Sequence, residues 1–201
     1  MNNRKSIFFS SDWHLGHENV LKYDQRPFKD LNHMHEVLVN NYNSIVSDDD
    51  ICYFLGDIGF FGKEVVRKII SRLNGTKVCI LGNHDKGINS VHTSGFDVVL
   101  YGAKMVIADN LVTLSRCPLL GVFRENVDPT KGSKPGENWH GETRHARHSF
   151  KDFGQFHLHG HTHKKPEERT SLKQFDVGVR ANNYRPVSIS VIESWISTYG
   201  R

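Results

Sequence analysis

The chain has 201 residues, and 26 Lys and Arg against 22 Asp and Glu give it a formal charge of +4. Its 37% hydrophobic and 24% charged residues are ordinary for a folded domain and argue against a disordered chain. No apolar run nears the ~18 residues of a membrane span, no signal-peptide core precedes Arg4 and Lys5, and three cysteines cannot all pair. The expectation is one domain over residues 1–201, reduced, cytoplasmic and without membrane contact. The outlier is histidine: 13 in all, seven of them between His140 and His163. Imidazole is costly to bury without a partner, so this cluster asks for a metal or a proton-transfer role.

Residues 5–10 form an apolar run that stops at Ser-Ser-Asp, a strand followed by a loop. Asp30 is placed to cap a helix whose apolar face is Leu31, Met34, Leu38, Tyr42 and Ile45. Strands follow at Ile51–Leu55 and Lys77–Leu81, each closed by a glycine, with a helix over Glu64–Leu73 between them. Strand and helix alternating at short spacing predict parallel βαβ units. Asp97–Tyr101, Met105–Ala108 and Leu111–Leu114 predict short strands paired antiparallel in a second sheet. Residues 121–152 carry four glycines and little periodicity, as a lid or insertion would. Strands return at Gln155–His159 and Gln174–Val177, and Ser190 to Glu193 has capping-box spacing for a final helix through Trp195.

Polar clusters punctuate the strands: Asp12-x-His14, Gly56-Asp57, Gly82-Asn83-His84-Asp85 and Gly160-His161-Thr162-His163. In a parallel sheet such loops share the edge at the strand carboxyl ends, where open α/β folds place ligands. Carboxylate, amide and imidazole donors together suit Mn²⁺, Fe²⁺, Zn²⁺ or Co²⁺ better than a thiolate zinc site. Each cluster alone reads equally well as a turn or a cap. Their conjunction carries the weight. His157 and His159 are read as structural members of their strand, and His33, His35 and His92 as surface residues.

From Ser10 to His163 these motifs, in order and spacing, resemble the calcineurin-like metallophosphoesterase superfamily. The segments around Asp12, Arg26-Pro27-Phe28 and Asp176-Val177-Gly178-Val179 are similar to its small stand-alone members from bacteria and phages. The resemblance implies a four-layer α/β/β/α sandwich with a dinuclear centre, Mn²⁺ foremost among Fe²⁺, Zn²⁺, Ni²⁺, Co²⁺ and Mg²⁺. It assigns Asp12, His14 and His163 to the first metal, Asp57 as the bridge, and Asn83 and His161 to the second. His84 would be the general acid and phosphate contact, with Asp85 orienting its ring. The implied activity is hydrolysis of a phosphomonoester or phosphodiester by a metal-bridging hydroxide.

One position departs from the pattern. Arg116 stands where the superfamily has a lone histidine for the second metal, and a guanidinium has no lone pair to give. The second site could be weak, with Arg116 gripping substrate phosphate, or a lid histidine (His140, His145 or His148) could replace the ligand. It could also be empty, leaving a mononuclear or inactive protein. The intact remaining ligands favour the first two. His17, Arg26 and His140 are further candidates for lining a substrate pocket. A charge of only +4, without a basic stripe, favours a nucleotide or short nucleic acid over long DNA. The rival from another class is a non-catalytic binding module on the same fold.

Overall fold

The computed structural model describes residues 5–59, 62–85, 87–119, 150–171 and 173–199. The 121–152 insertion, except residues 150–152, therefore lies outside the described residues, and with it His140, His145 and His148. The described residues form a mixed α/β structure with two five-stranded sheets. The first runs β10-β1-β2-β3-β4, comprising β1 (Ile7–Ser10), β2 (Ile51–Phe54), β3 (Thr76–Ile80), β4 (Val98–Leu100) and β10 (Val187–Ser188). Strands β1 to β4 pair in parallel, and β10 closes the edge antiparallel to β1. The second runs β5-β6-β7-β9-β8, comprising β5 (Ala103–Ile107), β6 (Asn110–Leu114), β7 (Phe156–His159), β8 (Thr170–Ser171) and β9 (Gln174–Asp176). Here β6, β7 and β9 are parallel, flanked by antiparallel β5 and β8.

Strand alternation sends neighbouring side chains to opposite faces, and the first sheet uses both. After the short α1 (Val20–Tyr23), the long helices pack on this sheet: Phe8, Cys52, Phe54 and Cys79 join one core with Met34, Leu38 and Tyr42 of α2 (Leu31–Asn43) and Val66, Ile69 and Ile70 of α3 (Lys63–Ile70). Phe9, Leu55 and Ile80 join a second core with Val112, Leu114, Leu158 and Phe175 of the other sheet. Ile192, Trp195 and Ile196 of the final helix, Ile189–Ser197, complete that second core. Asp30 caps α2 as expected, its carboxylate accepting the His33 N–H at 2.8 Å. Among the described residues no helix is long and apolar enough to cross a membrane.

Three expectations need correcting. The strand expected at Asp97–Tyr101 is β4, and it pairs in parallel with β3 in the first sheet. The crossover that permits this contains a five-residue helix, Ile88–His92, too short to show a helical period. The final helix starts at Ile189 with Ser188 as its N-cap, so Ser190 to Glu193 is helix interior and no capping box. His35 is buried, because it lies beside Met34 and Leu38 on the packed face of α2, and its Nε2 accepts the Gly16 N–H at 3.2 Å.

His157 and His159 are buried in β7, as a structural role requires. The His157 Nε2–H donates to the Cys117 carbonyl at 3.1 Å, and Nδ1 lies 2.8 Å from Thr113 Oγ1. Burial, reinforced by the neighbouring His159, depresses the His157 pKa to about 3. The unfolded ring binds a proton near its ordinary pKa of about 6.5 while the folded ring refuses it. Stability from this residue is thus complete above about pH 6.5 and lost as pH falls toward 3, by an amount on the order of a few kcal/mol. Denaturant titrations across that range should show this fall, and His157→Gln should flatten it.

Candidate metal centre

The loops leaving β1, β2 and β3 open on one edge because the strands are parallel, and those leaving β6 and β7 meet them there. The β1 and β2 loops remain zipped beyond their strands. Asp12 N–H donates to Gly56 O at 3.2 Å, His14 N–H to Asp57 O at 3.1 Å and Leu15 N–H to Ile58 O at 2.8 Å. The β7 loop joins them through the His161 N–H, which donates to Asp12 Oδ2 at 3.0 Å. Gly160 N–H, in turn, donates to Arg116 O at 3.1 Å.

Five of the sequence-predicted ligands sit in the left-handed backbone region: Asp12 (φ 62°), His14 (51°), Asp57 (52°), His161 (70°) and His163 (48°). Non-glycine residues there cost on the order of 1 kcal/mol or more each, a strain that concentrates at functional sites. This conformation reverses the chain within one or two residues. Side chains from separate loops can therefore point to a common centre.

Three of them converge. Asp12, His14 and His163 each bring one donor atom within 4.8 Å of the other two. The Nε2 atoms of His14 and His163 lie 3.1 Å apart, and His163 Nε2 is 3.2 Å from Asp12 Oδ1. One ion at ordinary metal–nitrogen lengths of about 2.0–2.1 Å could reach both rings, so these residues fit the first metal of the sequence assignment. Asp57 and His161 stand outside this group of three, although Asp57 Oδ2 is 4.0 Å from His14 Nε2.

The electrostatics match the convergence. Burial works to raise the Asp12 pKa, but Arg116 and His163 outweigh it and hold the carboxyl well below its ordinary value. Burial lowers His14, partly opposed by Asp12. For His163 burial is overcome by Asp12 and Asp24, which lift the ring to about 9. Asp24 is a residue that sequence reasoning missed. Its Oδ2 accepts the His163 Nδ1–H at 2.7 Å, which turns Nε2 toward Asp12 and His14. Such carboxylate–histidine pairs orient metal ligands.

Arg116 is the largest departure from the expected ligand set. Its side chain is fully buried, so it offers no free face to a substrate. Nη1 lies 2.5 Å from Asp12 Oδ1 and donates to Ser11 Oγ at 3.1 Å, Nη2 donates to Asp57 Oδ2, and Nε donates to Asn83 Oδ1 at 3.3 Å. Nearby glycines make this packing possible. A Cβ on Gly160 would fall 2.6 Å from both Arg116 Nη1 and Asp12 Oδ2, and one on Gly82 would fall 2.3 Å from Asp57 Oδ1.

The remaining candidates divide. His84 is exposed at the lip, its ring centroid 6.4 Å from that of His14, and its N–H donates to Asp57 Oδ1 at 3.2 Å. His17 is half-buried, with its centroid 5.9 Å from the His14 ring. Arg26 is buried and braces the first loop, donating to Asp12 O at 2.8 Å, Trp13 O at 3.2 Å and Asp24. Asp85 accepts the N–H groups of Gly82 at 2.7 Å, Asp57 at 3.1 Å and Ile58 at 3.3 Å. It ties the loops after β2 and β3 together. Burial and the charge of Asp57 push its pKa up to about 6. Asp176 is the second missed residue: its carboxylate accepts the Thr162 hydroxyl and the Gly178 N–H, the latter at 2.7 Å, bracing the loop between His161 and His163.

No protein-family model matches the chain. The uncharacterized protein MJ1445 of Methanocaldococcus jannaschii is 31% identical over 196 residues, covering 94% of this chain and 89% of that protein. The chain belongs to the family of MJ1445. The gene 66 proteins of Mycobacterium phages L5 and D29 are each 29% identical, over 184 and 182 residues, and cover 88% of this chain. Those alignments span 87% and 88% of the phage proteins. Among solved structures, the protein of unknown function AQ665 from Aquifex aeolicus has the same fold. Its TM-score is 0.66 at 22% identity, over 96% of this chain and 100% of that one.

The glycine contacts yield a test of the rim itself. Gly160→Ala should destabilise the protein by about 1–3 kcal/mol, because the added methyl meets Ser11 Oγ and the buried Asp12–Arg116 pair. Chemical denaturation will measure this, and an unchanged midpoint would show that the rim tolerates the methyl.

Proposed function

We propose that this member of the MJ1445 family is a metal-dependent phosphoesterase acting on a nucleotide-sized phosphomonoester or phosphodiester. The observation that supports this reading is the meeting of Asp12, His14 and His163 at a loop rim, with Asp24 fixing the His163 ring. One carboxylate and two imidazoles suit Mn²⁺, Fe²⁺, Zn²⁺ or Co²⁺. A divalent ion held there lowers the pKa of water and polarises a phosphoryl oxygen.

The chain's own residues supply the rest. Asp12 and Asp57 against Arg116 leave one net negative charge at the rim, which a divalent ion reverses, and a phosphate ester then meets an attractive field. The exposed His84 ring stands at the lip, where it can hold a proton for the departing oxygen. Asp57 steadies that loop through the His84 N–H. The helices against one face of the first sheet and the second sheet against its other face support a four-layer α/β/β/α arrangement of the metallophosphoesterase kind. A cytoplasmic setting suits Cys52 and Cys79, which are buried thiols.

A second reading, a binding module without turnover, is favoured by one observation: Arg116 already neutralises part of the carboxylate charge. Assays with Mn²⁺, Ni²⁺, Zn²⁺ or Mg²⁺ on the mono- and bis-esters of p-nitrophenol, with a chelator control, separate the two. Hydrolysis that the chelator abolishes is the expected result. His84→Ala should cut turnover about 10²–10⁴-fold while leaving metal content intact. Asp12→Asn should lower both. Absence of turnover with every metal would favour the binding module.

A further inference from the structure

We propose that Arg116 is a built-in cation standing where a dinuclear centre would hold its second ion, so that each chain binds a single divalent metal. This rests on the metal-dependent reading above and concerns the number of ions at the same site.

The residues around Arg116 carry the inference. The resemblance gives a second ion Asp57, Asn83 and His161, and the guanidinium already engages the first two, through Nη2 on Asp57 Oδ2 and Nε on Asn83 Oδ1 at 3.3 Å. It also spans to Asp12 Oδ1 at 2.5 Å and to Ser11 Oγ at 3.1 Å. Guanidinium stays protonated and donates only, so it takes up carboxylate charge without offering an ion any ligand. These contacts draw on all three guanidinium nitrogens, and the side chain is fully buried. An ion at Asp57 and Asn83 would have to expel the arginine from a close-packed slot. The slot is cut to this side chain: a Cβ on Gly56 would lie 2.8 Å from Arg116 Cδ, and one on Gly160 would lie 2.6 Å from Nη1. Leaving it would strand two buried carboxylates with no cation between them until an ion arrived.

Among the described residues, Arg116 enters the group at Asp12, His14 and His163 only through Asp12 Oδ1, the oxygen 3.2 Å from His163 Nε2. Arg116 touches Asp12 on Oδ1, while Nε2 of His14 and Nε2 of His163 face each other across 3.1 Å. Among the described residues, one position for an ion therefore stays open and the other is filled by protein. The positive charge there is fixed at one, independent of metal supply, and Asp57 is held in place by a directional donor.

The test is metal stoichiometry, which needs no turnover. After equilibrium dialysis against Mn²⁺, elemental analysis of the full chain should find one ion per chain, and its electron paramagnetic resonance spectrum should be that of uncoupled Mn²⁺. Arg116→His removes the guanidinium and restores a ligand, so it should bind two ions and show spin coupling. Two ions in the unmodified protein would overturn the inference while leaving the metal-dependent reading intact. One ion in folded Arg116→His would likewise overturn the claim that the arginine excludes the second. No ion in the unmodified protein would sink the metal-dependent reading and this inference with it. The measurement on the unmodified chain decides the matter even if Arg116→His fails to fold.

Discussion

Asp12 and Asp57 are each about 1% exposed and sit side by side at the rim where the two sheets meet. Two carboxylates withdrawn from water and facing each other repel strongly and lose their hydration, so the fold requires positive charge between them. Arg116 provides it through Nη1 and Nη2, one nitrogen to each carboxylate. Because Arg116 follows β6 of the second sheet and the carboxylates follow β1 and β2 of the first, this ion pair also fastens the sheets at the candidate metal centre. The glycines at 56, 82 and 160 serve the same end, since a side chain at any of them would push the pair apart.

Around that pair the remaining polar groups act as braces. Arg26 grips the carbonyls of Asp12 and Trp13 and pairs with Asp24, which in turn aims His163. Asp85 stitches the β2 and β3 loops through three backbone N–H groups, and Asp176 steadies the His161–His163 loop. Left-handed backbone at five candidate ligands is the strain these braces hold. These braces fix the candidate donors in place, and preorganised donors would bind an ion without the entropy of ordering loops.

Much of this was legible in the sequence. Alternating apolar strands and the Asp30 cap marked β1, β2, β3 and α2. The polar residues after each strand marked the rim, because parallel strands place their carboxyl ends together. What stayed hidden depends on short elements or on contacts distant in the chain. The five-residue helix before β4 gave no periodic signal, so that strand went to the wrong sheet. Asp24 lies 139 positions from His163, and Arg116 lies 59 from Asp57, so their pairings are set by folding alone. Arg116 was visible as an anomaly, a charge where a histidine belongs by resemblance, but its burial was not. His35 looked like a surface residue because its acceptor role depends on the Gly16 N–H of a distant loop.

The most direct measurement is anomalous diffraction from crystals soaked in Mn²⁺. One peak within bonding distance of Asp12, His14 and His163, with the Arg116 guanidinium still between Asp12 and Asp57, is the expected result. A peak between Asp57 and Asn83 with the arginine swung away, or no peak at the rim at all, would contradict it.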